Sequence, residues 1–185
     1  PAFDEAVVLA GTNDVMMELA AEAQNQGMLS VYRGLNQLPL EYVPSIESFA
    51  SSFRDLLQSI RAEKVAVLSL PPLGERDGRA AEKLRLYNQE IRRVVEDSPQ
   101  AIYVPFGEAL EIKSGEDFDA SSLAFSQTVA EMFAHTALRR LPFGPSFNTL
   151  GGFYGREVVH DKIHLTEKSA DILVNLLVKT LGPGT

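Results

Sequence analysis

Three short, uninterrupted apolar runs constrain this chain most: Ala6-Val7-Val8-Leu9-Ala10, Val65-Ala66-Val67-Leu68-Ser69-Leu70 and Ala101-Ile102-Tyr103-Val104-Pro105. A run with no polar alternation has no face to offer water, so the first two predict strands buried on both sides, and the last predicts a third strand. Segments of helical periodicity separate the runs. Strand and helix in alternation predict an α/β fold around a parallel sheet. The first run ends at Gly11, and the second at Pro71-Pro72, where the ladder loses its donors.

The helices follow from spacing and caps. Asp14 is an N-cap for a helix over about 15–24, with Gly27 at its C′ position, and residues 28–44 read as loop punctuated by Gly34, Pro39 and Pro44. Ser45 caps a helix whose apolar face is Phe49, Phe53, Leu56, Leu57 and Ile60. Leu84, Tyr87, Ile91, Val94 and Val95 line one face of a helix over about 78–95. Leu123, Phe125, Val129, Met132 and Phe133 suggest another, and Pro142, Gly144, Pro145, Gly151 and Gly152 mark a long loop after it. A last helix runs from about Thr166 to Leu181, carries Ile172, Leu173, Leu176, Leu177 and Leu181, and ends at Gly182-Pro183.

A length of 185 residues fits a single domain, 1–185, with an expanded region at about 107–157. The net charge of −8 argues against nucleic acid and against an anionic membrane surface as partners. Without cysteine there is no disulfide, thiol nucleophile or thiolate metal site. No apolar run approaches the ~20 residues that span a bilayer. Three strands are fewer than the ~4–6 usual in a sheet, and the first strand of a doubly wound fold is normally central. The chain opens at Pro1 almost directly into a strand, so one or two further strands are expected on its N-terminal side.

Two constellations can carry chemistry. Gly11-Thr12-Asn13-Asp14 follows a buried strand, where ligands of open α/β sheets bind. Glycine permits a sharp turn, and Asn13 can aim an amide N–H at a developing oxyanion. A plain strand-to-helix turn with polar caps explains the same residues. The second is His160-Asp161-Lys162-Ile163-His164, just before the last helix. A general-base histidine needs an acceptor on its second ring nitrogen, and Asp161 is three residues from His164. The alternative is a polar approach loop. Zinc binding through His160 and His164 would approximate His-Glu-x-x-His, but that motif needs a helix beneath both histidines, and no third ligand is evident. His160 and His135 read as ordinary surface or half-buried histidines.

Taken together, a strand followed by Gly-x-Asn-Asp and an Asp-x-x-His before the closing helix resemble two of the four sequence blocks of the SGNH (GDSL-type) hydrolase family. The resemblance implies a flavodoxin-like three-layer α/β/α domain, N-terminal strands apart, that cleaves carboxylic esters without a cofactor or metal. It implies that His164 is the catalytic base, Asp161 its orienting acid and Asn13 an oxyanion donor, with Gly11 and Thr12 beside the substrate. The implied partner is a small-molecule or lipid ester. The family's nucleophile lies in a Gly-Asp-Ser block, and no Gly-Asp-Ser occurs here. Ser69 lies in a strand, and Ser121, Ser122 and Ser126 lie on or near a helix, so none suits the role. The serine is therefore expected upstream of Pro1, the alternative being an inactive binding or interaction module of the same fold. The apolar 107–157 region is either a lid or a cover for the sheet edge.

Overall fold

The computed structural model describes residues 3–35, 37–39, 41–42, 45–110 and 115–182. Pro1, Pro44 and Pro183, start or stop signals in the sequence, lie outside them. The three apolar runs mark β1 (Phe3–Val8), β2 (Ala62–Leu68) and β3 (Ala101–Val104), all parallel and in the order β1-β2-β3. The first two strands start three residues before their runs and stop two residues short, so Ser69, expected in a strand, lies just past β2. Around them lie α1 (Thr12–Glu22), α2 (Gln26–Leu35), α3 (Ile46–Ser59), α4 (Arg79–Glu96), α5 (Phe106–Ala109), α6 (Ser122–Arg139), α7 (Phe147–Gly152) and α8 (Glu167–Leu181).

Successive residues of β2 point to opposite faces, and both faces are covered. Val65 and Val67 join the main core with Val15 of α1, Leu57 of α3 and Tyr87 and Ile91 of α4. Ala66 and Leu68 face a smaller cluster built from Val104, Phe106, Leu110 and Val158, against which Ile172, Leu173, Leu176 and Leu177 of α8 pack. The result is an α/β domain with helices on either side of a small parallel sheet.

β1 departs from the expectation of a strand buried on both faces. It is an edge strand among the described residues, and Phe3, Val7 and the following Leu9 are exposed. The register pairs Val7 with Ala66, on the α8 side, but α8 packs over β2 and β3 and leaves that side of β1 open.

Two helix boundaries also differ. α1 begins at Thr12 because Gly11 is its N-cap at φ +122°, where the chain turns at once into the helix. A Cβ at Gly11 would meet the Phe49 ring at 2.9 Å. Asp14 thus lies in the first turn rather than capping it. The left-handed residue after α1 is Gln24 (φ +56°), while Gly27 is already inside α2. The segment expected to be loop holds this ten-residue helix, since Asn25 Oδ1 accepts from Met28 N at 3.0 Å and Met28 and Leu29 are buried. Ser45 caps α3 as expected, in a reciprocal pair with Ser48.

α6 forms where its periodicity predicted, and Phe125, Val129 and Met132 of its apolar residues are half-buried, Phe125 against the main core. Thr128 and His135 are its buried residues, while Leu123 and Phe133 are 72% and 65% exposed. Gly151 and Gly152, expected in a loop, end the short α7.

Candidate active site

The loop after β2 builds the platform for the histidine-bearing segment. Gly74, at φ +73°, donates its N–H to Lys162 O at 2.7 Å. The next residue, Glu75, is fully buried, and its carboxylate accepts the N–H groups of Glu157 (2.7 and 2.8 Å), Val158 and Val159 (2.8 Å). Arg156, also buried, donates to His160 O at 3.0 Å, to Glu116 Oε2 at 2.9 Å and to the Glu131 carboxylate. Three backbone donors are thereby fixed by a side chain more than 80 residues away, and one carbonyl by Arg156, itself held by Glu116 and Glu131.

On this platform residues 159–165 close a tight loop. Val159 bridges Leu165, and His160 N donates to His164 O at 2.9 Å. Asp161 Oδ1 accepts from Ile163 N (3.1 Å) and His164 N (2.7 Å), the local turn that aspartate side chains favour. Lys162 takes the left-handed conformation at φ +73°. Asp161 and His164 meet as expected, with Nδ1 2.8 Å from Oδ2. Asp161 is completely buried, whereas the His164 side chain is 54% exposed. Nε2 has no hydrogen-bond partner among the described residues, so Nδ1 is held and Nε2 is offered outward.

The electrostatics follow from these contacts. The hydrogen bond to Asp161 raises the His164 imidazole above its ordinary value, against a smaller opposing effect of burial. Burial pushes Asp161 upward, but the hydrogen bonds from the His164 ring and backbone outweigh it and hold the carboxyl below its ordinary value.

His160 and His135 are not the surface or half-buried histidines the sequence suggested. Both are buried, with their Nδ1 atoms 3.0 Å apart, and the Phe147 ring stacks on His160 at 4.1 Å. One ring must donate and the other accept, so both Nδ1 atoms cannot carry protons together. Burial lowers the His160 pKa, and Asp161 opposes it. All three histidines of the chain thus gather at one place.

Asn13 is exposed in the first turn of α1, at the carboxyl end of β1, and makes no hydrogen bond with the Asp161–His164 pair. Gly11 is buried beneath it and Thr12 half-buried. Ser69 is fully buried just past β2, donating to Glu108 and accepting from Gly107 N at 2.8 Å. Ser121 is the N-cap of α6. Among the described residues no serine bonds to His164. A cavity of about 360 Å³ lies between the loop after β2, α4 and Gly107–Leu110, and neither Asn13 nor His164 lines it.

His160, Asp161 and His164 could bring ligand atoms within 4.8 Å of one another around a metal ion. Asp161 Oδ2 and His164 Nδ1 are bonded to each other, however, and His160 Nδ1 to His135, so an ion using these atoms would displace existing hydrogen bonds. The helix the zinc motif requires is absent beneath them, since α8 is capped by Thr166. Glu75, Arg156 and Phe147 were not recognised in the sequence. Nothing local separates Glu75 or Arg156 from a solvated charge, although the scarcity of histidine was a usable sign for His135.

Comparison of the chain with protein-family models, with curated proteins and with solved structures returned no match.

Proposed function

We propose that this chain carries the base-and-acid half of a serine ester hydrolase of the SGNH type, with His164 as general base, Asp161 as its orienting acid and Asn13 as oxyanion donor. The observation that carries the reading is the 2.8 Å bond from His164 Nδ1 to a wholly buried carboxylate, with Nε2 exposed and unengaged. Helices on both faces of the parallel sheet agree with the three-layer arrangement that reading requires.

In this mechanism Nε2 takes the proton of a serine hydroxyl as its oxygen attacks the ester carbonyl. The imidazolium, steadied by Asp161, returns that proton to the departing alkoxide, leaving an acyl-serine. Water then adds to the acyl carbon while giving a proton to Nε2, and the serine oxygen leaves with that proton. The Asn13 amide would stabilise the oxyanion in both steps. We assign the serine to polypeptide outside these 185 residues.

A non-catalytic binding module is the second reading, favoured by the lack of any described serine bonded to His164. Hydrolysis of p-nitrophenyl acetate and butyrate, with any natural sequence preceding Pro1 included, separates the two. The expected result is turnover and labelling by a fluorophosphonate, with turnover abolished in His164→Ala. Absent turnover, or turnover indifferent to His164→Ala, sinks the hydrolase reading.

A further inference from the structure

Between Glu131 and Glu157 the chain has no carboxylate for 25 residues, a length that would hold about three at its average frequency of Asp and Glu. The same stretch presents apolar side chains outward. Phe133 and Leu138 are exposed on the last turns of α6, and Leu141 just beyond it is exposed as well. Phe143 is 106% exposed and adopts φ +63°, a left-handed conformation that is costly for a bulky residue. The turn that holds it is built rather than slack. Gly144 N donates to Leu141 O at 2.8 Å, and a Cβ on Gly144 would lie 2.2 Å from Leu138 O, so the chain folds back on the end of α6. Arg139 and Arg140 are exposed beside this tip; Arg139 feels Glu167, and Arg140 has no ion pair among the described residues.

We infer that the α6 tip, with Phe143 at its apex between exposed apolar residues and Arg139-Arg140, is a docking surface for an anionic lipid–water interface. An aromatic held in solvent at a backbone cost fits the apolar side of a headgroup layer, and flanking arginines fit anionic headgroups. The chain's net charge of −8 opposes approach only at a distance. Ionic screening confines it to about 8 Å at physiological salt. Nearer than that, Glu167, bonded to Phe147 N and Asn148 N, acts on Arg139, while Arg140 and the apex residues 141–145 carry no acid of their own. The surface stands or falls separately from the reading of the Asp161–His164 pair, because its test needs no turnover.

The chain contains no tryptophan, so Phe143→Trp installs a single reporter at the apex. The probe is a vesicle of equal parts phosphatidylglycerol and phosphatidylcholine. The expected result is a blue-shifted emission on adding vesicles, quenched by brominated acyl chains. Arg139→Gln with Arg140→Gln in that background weakens partitioning roughly 25-fold, about fivefold for each arginine. Circular dichroism confirms that these surface variants fold. Emission unmoved by vesicles, or equal partitioning of the double-glutamine variant, overturns the inference. A blue shift that grows with protein concentration without lipid also overturns it, by identifying a second copy as the occupant.

Discussion

Around β2 the buried groups are Leu57, Val65, Val67, Tyr87 and Ile91; around His164 they are Glu75, Arg156, His135, His160 and Asp161. The first region coheres by removing apolar surface from water, which has no preferred direction and is worth about 1.5–3 kcal/mol per large side chain. The second coheres through charged and polar groups whose hydrogen bonds fix angles as well as distances, and which become costly when a partner is lost. That region buries Leu150, Val158 and Val159 but exposes Phe133, Phe143 and Phe153. The difference teaches that the sheet half supplies stability while the loop half supplies orientation. A ring aimed through one hydrogen bond needs a directional support beneath it.

The sharpest test is Asp161→Asn. If His164 is a general base, this change cuts kcat by about 10⁴-fold, as loss of the orienting carboxylate does in serine hydrolases, with little loss of fold. Next comes Arg156→Met, expected to cost about 3–5 kcal/mol by leaving the buried side of Glu131 and the His160 carbonyl without their cation. Its histidine NMR resonances should move as well. Ile91→Ala, in the apolar half, is expected to cost about 2–5 kcal/mol in a denaturation curve and leave those resonances in place. Should Arg156→Met spare the histidines, or Ile91→Ala disturb them, the division between the halves breaks. Glu75→Gln is milder, about 1–3 kcal/mol, because an amide N–H₂ replaces one acceptor facing the N–H groups of Glu157, Val158 and Val159.

The two halves were unequally legible in the sequence. Strands and helices of the apolar half write themselves as periodicity, and Phe49, Phe53, Tyr87 and Ile91 are buried where their spacing put them. The Asp161–His164 pair was legible because its two members are local, three residues apart. Glu75 and Arg156 were not, since their partners lie 82–84 and 40 residues away, and a charged side chain gives no sign in the sequence of whether it is solvated or buried. α6 was legible in part for a related reason. Phe125, Val129 and Met132 are half-buried as their spacing implies, but the fully buried residues are Thr128 and His135, and the ring of His135 is bonded to His160 from a segment 25 residues away. α2 was missed where Gly27 and Gly34 outweighed Met28 and Leu29, which pack into the core regardless.

The smallest expected effects are in pH dependence, and they probe the polar half alone, because every histidine of the chain lies in it. The His164 pKa is raised above its ordinary 6.5 by Asp161, so its stabilising contribution is full below pH 6.5 and is lost as pH rises through the raised value. His160 has the opposite sign. Burial lowers its pKa, so as pH falls below 6.5 the unfolded chain takes the proton first and stability declines. The two effects fall on opposite sides of pH 6.5, which predicts a histidine contribution to stability that peaks near 6.5, declining above it as His164 loses its proton and below it through His160. The lowered Asp161 contributes above its ordinary 3.8 and loses that contribution as pH falls through its folded value. NMR titration of the Cε1 protons is expected to put the His164 midpoint above 6.5 and the His160 midpoint below it. Asp161→Asn should bring His164 back down, since the charge that raised it is gone. If hydrolysis occurs, its acid limb should follow the same His164 midpoint, because only the neutral ring can accept the serine proton. If His164 and His160 instead titrate together near 6.5, the loop half is not held by the network that distinguishes it from the sheet half.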